Sequence, residues 1–501
     1  MNLKRWLPVA LLVGSVSLQA QDPVAQKYGS MITPSDLKEN LSILASDAFE
    51  GRETGKRGQK VAAAFVRANF EDFGLAGPVN GSYYQPVELY TSLLGEVFLK
   101  AGKNTFVHYD DFIYTGMTDS GGEITAPVVF GGKGRKEDFD QIAAEGKFVL
   151  VVLGSEENYR PVITLSRERK VRGLLIVNSA NAAGFKEFAG QFKSYVSGGR
   201  LSLTKPEAQP QNGGLFFVAP ATAEKIFATT LDKLTKAANE DVAKGALKKV
   251  KPATVQYKIA TEVKVLKSDN VLGYLEGTDK KDELVVITSH YDHIGKSNSG
   301  EGDRINNGAD DDGSGTVSVI QLAKVFAQAK KDGKGPRRSI LFMTVTGEEK
   351  GLLGSEYYSE HPVFPLANTV VDLNIDMVGR RDPQHKDSAP YVYVIGADKL
   401  SQELHNLSEK TNKTYTNLVF DYTYNDQNHP DRLYYRSDHW NFAKKNIPII
   451  FYFDGIHEDY HKPSDEVDKI EFDLLTKRAQ CVFYTAWEIA NREQRIVPDA
   501  K

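Results

Sequence analysis

A chain of 501 residues, 41% hydrophobic and 26% charged, has room for two to four structural units at about 150 residues per domain, and its composition excludes a disordered, collagenous or multi-spanning membrane protein. Lys and Arg number 62 against 66 Asp and Glu, a net charge of −4, so no global basic field points to a nucleic-acid partner. One cysteine in the whole chain rules out an internal disulfide framework and a Cys-rich zinc site, which leaves His, Asp and Glu to hold any metal.

The first segment, residues 1–20, places Lys4 and Arg5 before an apolar stretch from Trp6 to Leu18 and ends on the small residue Ala20. That is the pattern of a cleaved signal peptide, too short to span a bilayer, with no cysteine nearby for lipid attachment, and it predicts a secreted or periplasmic chain without stable membrane insertion. Residues 34–75 read as two amphipathic helices joined by EGRETGKRG, a plain scaffold. From about residue 91 the texture changes to short apolar runs, TAPVVFGG, KFVLVVLG, GLLIVN and GLFFVAP, between Gly-, Lys- and Pro-containing loops, which predicts a separate strand-rich module. It closes with a Lys- and Ala-rich helix around 221–247, and the chain resumes in a strand pair, VKVLKSDNVLGYLEG. Beyond residue 284 strands and helical patterns alternate: LVVITS, SGTVSVIQLAKVFAQAKK, SILFMTVT, GLLGSEYYSE, TVVDLNIDM and IPIIFYF, then a final helix. Alternation of this kind predicts an α/β domain with a mixed, mostly parallel central sheet flanked by helices. Cys481 falls in that last helical pattern, where a cysteine packs in the core.

Ligands of open α/β sheets sit beyond the carboxyl ends of the strands, so the residues that follow each apolar run carry the functional question. His290, Tyr291 and Asp292 follow LVVITS; Glu348 and Glu349 follow SILFMTVT; Asp376 closes TVVDLNI; His457, Glu458, Asp459, Tyr460 and His461 follow IPIIFYF. Asp310, Asp311 and Asp312 stand immediately before a helix. Singly, each piece has an ordinary structural use: a core His–Asp pair, a helix cap, a solvated acidic face, or for Asp376 an ion pair with Arg380. Together, imidazole and carboxylate without thiolate are the donors of a hydrolytic zinc site, and a shared carboxylate can hold two ions about 3.5–4 Å apart.

The ordered motifs SHYDHIG at 289, NNGADDDGSG at 306, TGEEKGLLGS at 346, LNIDMVGR at 373 and DYHKPSDEVDKI at 459 resemble those of the secreted co-catalytic di-zinc aminopeptidases. The helical opening LASDAFEGRETGKRG at 44 is similar to that family's usual start. The resemblance implies two zinc ions held by His290, Asp311, Glu349, Asp376 and His461, with Asp311 bridging. It also implies that Asp292 orients His290 and that Glu348 is the general base. By the same resemblance, residues 21–90 are the N-terminal part of a zinc-exopeptidase fold, 91–262 a β-rich protease-associated insert, and 263–501 the catalytic domain. Ser437, Asp438 and His439 resemble a recurrent family element, and Asp438 and His439 become candidate substrate-binding residues. The Tyr-rich stretch 420–442 shapes the pocket or simply packs as a surface loop. His293 and His457 match no ligand position. The implied activity is removal of N-terminal residues from peptide substrates. Carboxypeptidase action, acyl-amino-acid hydrolysis, glutaminyl cyclisation and a non-catalytic receptor on the same fold stay open, as do cobalt or manganese in place of zinc.

Overall fold

The computed structural model describes residues 21–116, 119–154, 158–196, 200–207, 213–240, 245–297 and 302–499, so the signal-peptide segment 1–20 lies outside the described residues. The chain divides into two compact units, one comprising the chain up to Val87 and from Ser268 onward, the other Glu88–Lys267.

The first unit is built on seven strands: β1 (Ala253–Leu275, which belongs to this unit from Ser268 onward), β2 (Lys280–His290), β3 (Arg338–Val345), β4 (Thr369–Ile375), β5 (Tyr391–Ile395), β6 (Val419–Asp421) and β7 (Ile449–Phe453). Their order across the sheet is β6-β5-β7-β4-β2-β3-β1. The β2–β3, β2–β4, β4–β7 and β5–β6 pairs are parallel, and the β1–β3 and β5–β7 pairs antiparallel. From β2 the chain passes first to the neighbour on one side, β3, and then to the neighbour on the other, β4. Connections therefore diverge at the carboxyl end of β2, and a crevice opens where no crossover covers the strand ends.

Alternate side chains of the central strands feed two cores. Val285, Ile287, Ile340 and Phe342 face one, together with Val317 and Ile320 of helix Gly315–Lys331 and Leu475 and Phe483 of helix Phe472–Asn491. Leu284, Val286, Leu341 and Met343 face the other, with Tyr358, Tyr434 and Phe442. Burial on both faces explains why these strands read as unbroken apolar runs. Cys481 lies fully inside the first core, where burial pushes its thiol up to about 12 and keeps it protonated and inert near neutral pH.

The second unit has strands Ile124–Phe130, Phe148–Val152, Gly173–Val177 and Gly214–Val218 in parallel register, bounded by antiparallel partners. Helices Arg160–Glu168, Ala182–Val196, Pro220–Phe227 and Leu231–Asn239 accompany it, so the module is richer in helix than its sequence texture suggests. The breaks expected at residues 91 and 263 fall inside strands Tyr84–Ala101 and Ala253–Leu275. The latter is one continuous strand in place of the expected strand pair, because its turn-favouring residues Ser268 and Asn270 are buried and hydrogen-bonded, Ser268 to Gln59 and Thr346 and Asn270 to Gln85 and the Gly354 carbonyl. No helix among the described residues is long and apolar enough to cross a membrane.

Candidate metal centre

Each candidate ligand hangs from the end of a buried element. His290 is the last residue of β2, Asp376 follows β4 directly, Glu348 and Glu349 follow β3, and His461 lies in the loop after β7. Asp311 comes from the turn before helix Gly315–Lys331. Asp311 Oδ1 lies 3.3 Å from His290 Nε2, and its Oδ2 lies 3.1 Å from His461 Nε2. Asp376 Oδ1 is 3.6 Å from His290 Nε2, and Glu349 Oε2 is 3.1 Å from His461 Nε2. Ligand atoms of His290, Asp311 and Asp376 lie within 4.8 Å of one another, as do those of His293, Asp311 and Glu349. Asp311 Oδ2 is buried and makes no aligned hydrogen bond among the described residues, so its neighbours converge on the space beside it and not on the atom itself. Buried hard oxygens with imidazoles and no thiolate fit divalent zinc, and the sharing of Asp311 fits a pair of ions.

The three successive aspartates do three different jobs. Asp310 Oδ2 lies 3.2 Å from His457 Nε2, and its Oδ1 accepts the Gly379 N–H at 2.7 Å. Asp312 accepts the main-chain N–H of His290, Gly315 and Met377, tying together the ends of β2, β4 and the helix. Only Asp311 faces the cluster, and Asp465 steadies it by accepting the N–H groups of Asp310 and Asp311 at 3.1 Å. Gly308 has φ of +56°, and a Cβ there would meet Asp311 O at 2.2 Å and His293 Cδ2 at 2.5 Å, so this turn requires glycine.

The electrostatics are those of crowded carboxylates answered by imidazoles. Burial works to raise Asp311, but His290 and His461 outweigh it and hold the carboxyl well below its usual range. Burial and Asp311 would likewise raise Glu349, whereas His293 and His461 bring it down to about 2. For His461 burial opposes the charge, and Asp311 and Glu349 raise the ring to about 10. Glu348 behaves differently: burial, with Glu349, Asp376 and Asp438 nearby, pushes its carboxyl well above the usual value despite His290. Its Oε2 stands 3.9 Å from His290 Nε2.

Several supports differ from the expected ones. His290 Nδ1 is 3.0 Å from the main-chain oxygen of Asp292, while the Asp292 carboxylate is 4.0 Å away. The carbonyl therefore fixes the ring, and the carboxylate accepts the Glu348 N–H at 3.2 Å and the Thr54 hydroxyl at 2.6 Å. Arg380 pairs with Asp459 at 3.0 Å and leaves Asp376 to Ser437, whose hydroxyl donates to Asp376 Oδ2 at 2.6 Å. Asp438 and His439, expected at the substrate surface, are fully buried behind it: Asp438 accepts from Ser355, and His439 Nε2 meets Tyr434 O at 2.8 Å while its ring stacks on Phe451. Burial raises Asp438 to about 7 and lowers His439 to about 3. Of the Tyr-rich stretch, Leu433, Arg436 and Ser437 do line the cavity, with Met377, Phe451, Phe453, Ile456 and Tyr460.

The turn read as scaffold also serves the site. Arg52 is completely buried, and its guanidinium donates to the carbonyls of Leu44, Tyr291, Asn307, Gly308 and Asp311. Arg52→Met would leave those oxygens without their donors and is expected to cost about 3–5 kcal/mol, as a buried polar network broken from one side does. An unchanged urea midpoint in that variant would show the clamp to be dispensable.

Residues 270–486 match Peptidase family M28. Aminopeptidase YwaD of Bacillus subtilis (strain 168) is 27% identical over 258 residues, 50% of this chain and 50% of that protein. A probable leucine aminopeptidase of Arthroderma otae is 27% identical over 218 residues, 42% of this chain and 55% of that protein. The chain thus spans about half the length of these curated relatives. Among solved structures, the aminopeptidase from Aneurinibacillus sp. strain AM-1 superposes with a TM-score of 0.54 at 19% identity, covering 95% of this chain and 98% of that one, a likeness of fold. Every clustered ligand from His290 to His461 lies inside the matched segment, and the chain therefore carries a domain of peptidase family M28.

Proposed function

We propose that the protein is a zinc-dependent aminopeptidase that hydrolyses the N-terminal residue from peptides. In this reading His290, Asp311 and Asp376 hold one ion, and Asp311, Glu349 and His461 hold the other. The observation that carries it is Asp311, whose two oxygens face different histidines at 3.3 and 3.1 Å, so one acid serves two ligand sets. The aminopeptidase names of the two relatives support the same direction.

Bound zinc would supply Lewis acidity, polarising the substrate carbonyl and making water more acidic. The chain's own residues do the rest. Glu348 lines the cavity, holds its backbone against Asp292, and has a carboxyl whose affinity for protons is raised by burial. It would take the proton from the attacking water and return it to the leaving amine, so the carboxylate is regenerated in each turnover. Met377, Leu433, Phe451, Phe453 and Ile456 line the same cavity and suit an apolar side chain on the substrate's terminal residue. Arg436, at the exposed rim with Nη2 3.3 Å from the Tyr460 hydroxyl, favours a second reading in which a substrate carboxylate is bound and the enzyme acts as a carboxypeptidase or acyl-amino-acid hydrolase.

Residues 91–262 would be a protease-associated insert, and export would remove residues 1–20; a purified exported chain whose mass still includes them would refute that processing. Turnover of free and N-blocked aminoacyl amides, with zinc measured in the same sample, tests the main reading. Hydrolysis of the free amides with two zinc per chain is expected. Faster hydrolysis of blocked or carboxy-terminal substrates would select the second reading, and no turnover at full zinc content would sink both.

A further inference from the structure

His293 stands two residues beyond the first ligand's neighbour in HYDHIG and is completely buried beside the second ligand set. Its Nδ1 lies 2.7 Å from Glu349 Oε1 and 3.8 Å from Asp311 Oδ2. A carboxylate only accepts, so Nδ1 is the donor. Its Nε2 has no partner among the described residues, which leaves Glu349 as the polar contact the ring makes at hydrogen-bond distance. The backbone holds the ring there: His293 N donates to Arg52 O at 3.1 Å, and Gly308 leaves space for Cδ2.

Two roles are open to such an imidazole, and distance separates them. Ligand atoms about 2.0–2.1 Å from a tetrahedral zinc lie about 3.3 Å from each other. The His461–Asp311, His461–Glu349 and His290–Asp311 separations of 3.1, 3.1 and 3.3 Å have that spacing. The His293–Glu349 separation of 2.7 Å is too short for two ligands of one ion and is that of a charge-assisted hydrogen bond. Glu349 thus spends Oε1 on His293 and turns Oε2 toward His461 and the shared space.

We propose that His293 is a positioning residue for the second ion: it fixes Glu349 as a one-oxygen ligand and does not itself bind the metal. The proposal rests on the two-ion reading given above. Zinc titration of the metal-depleted full chain against a competing fluorescent chelator tests both parts separately. The unaltered chain is expected to take two equivalents; fewer than two overturns the two-ion reading and this proposal with it. His293→Leu, which keeps bulk but has no donor, is expected to bind the first equivalent as before and the second about 10–100-fold more weakly. His293→Asn places an amide donor close to where Nδ1 stood and is expected to bring the second affinity back to within a few-fold. Unchanged second-site affinity in the Leu variant would overturn the role, and so would an Asn variant as weak as Leu, the result for a direct ligand. Should the Leu chain fail to fold, His293→Ala takes its place, with melting of the metal-free forms as the check.

Discussion

Glu348→Gln is expected to lower kcat by about 10²–10⁴-fold while zinc content and KM change little. The amide keeps the shape of the acid and its place in the chain, since the contact that orients residue 348 is its main-chain N–H on Asp292 Oδ1 at 3.2 Å. It loses only the ability to accept and return a proton. Glu348 is not among the side chains that form the two ligand clusters, although its Oε2 is 3.9 Å from His290 Nε2. Burial raises the proton affinity of its carboxyl, which suits it to take a proton from water. Turnover measured beside metal analysis separates the outcomes: an active Gln variant removes Glu348 as the base, and a zinc-depleted one makes it a ligand.

The part of this site legible in the sequence is the part encoded at strand ends. His290 and Asp376 directly follow an apolar run, Glu348 and Glu349 follow another after an intervening Gly347, and a sheet buried on both faces makes such runs conspicuous. What the sequence hides is partnership across distance. Arg52 reaches Tyr291 across 239 positions and Thr54 reaches Asp292 across 238, and neither turn residue differs locally from scaffold. Asp465 lay inside a recognised motif, yet its grip on the Asp310 and Asp311 backbones depends on how the loop after β7 folds back. His293 was in plain view in HYDHIG, and the second imidazole was the available signal. Asp438 and His439 illustrate the reverse error, because a polar pair near a site in sequence can equally be the hydrogen-bonded wall behind it, as their complete burial shows. The unit boundaries were displaced for a related reason: strands Tyr84–Ala101 and Ala253–Leu275 continue through both expected breaks, and composition changes before the backbone does.

Asp311→Ala is expected to be the most damaging single change in the metal centre, reducing bound zinc from two ions to less than one per chain and abolishing turnover. The contrast with Glu349→Ala gives the reason. Glu349 meets His461 at 3.1 Å and His293 at 2.7 Å but belongs to one ligand cluster only, so its loss is expected to leave the ion at His290 and Asp376 in place, one per chain. Asp311 belongs to both clusters, with Oδ1 toward His290 and Oδ2 toward His461. Its removal also strips the charge that balances two ions while Asp376 and Glu349 remain apart, each with one histidine of its own set, too few donors to hold zinc firmly. Metal content after exhaustive dialysis against a weak chelator distinguishes the two variants directly. If Asp311→Ala kept one tightly bound ion, or Glu349→Ala lost both, the sharing of Asp311 would be wrong, and the centre would have to be redrawn as two separate sites or as one.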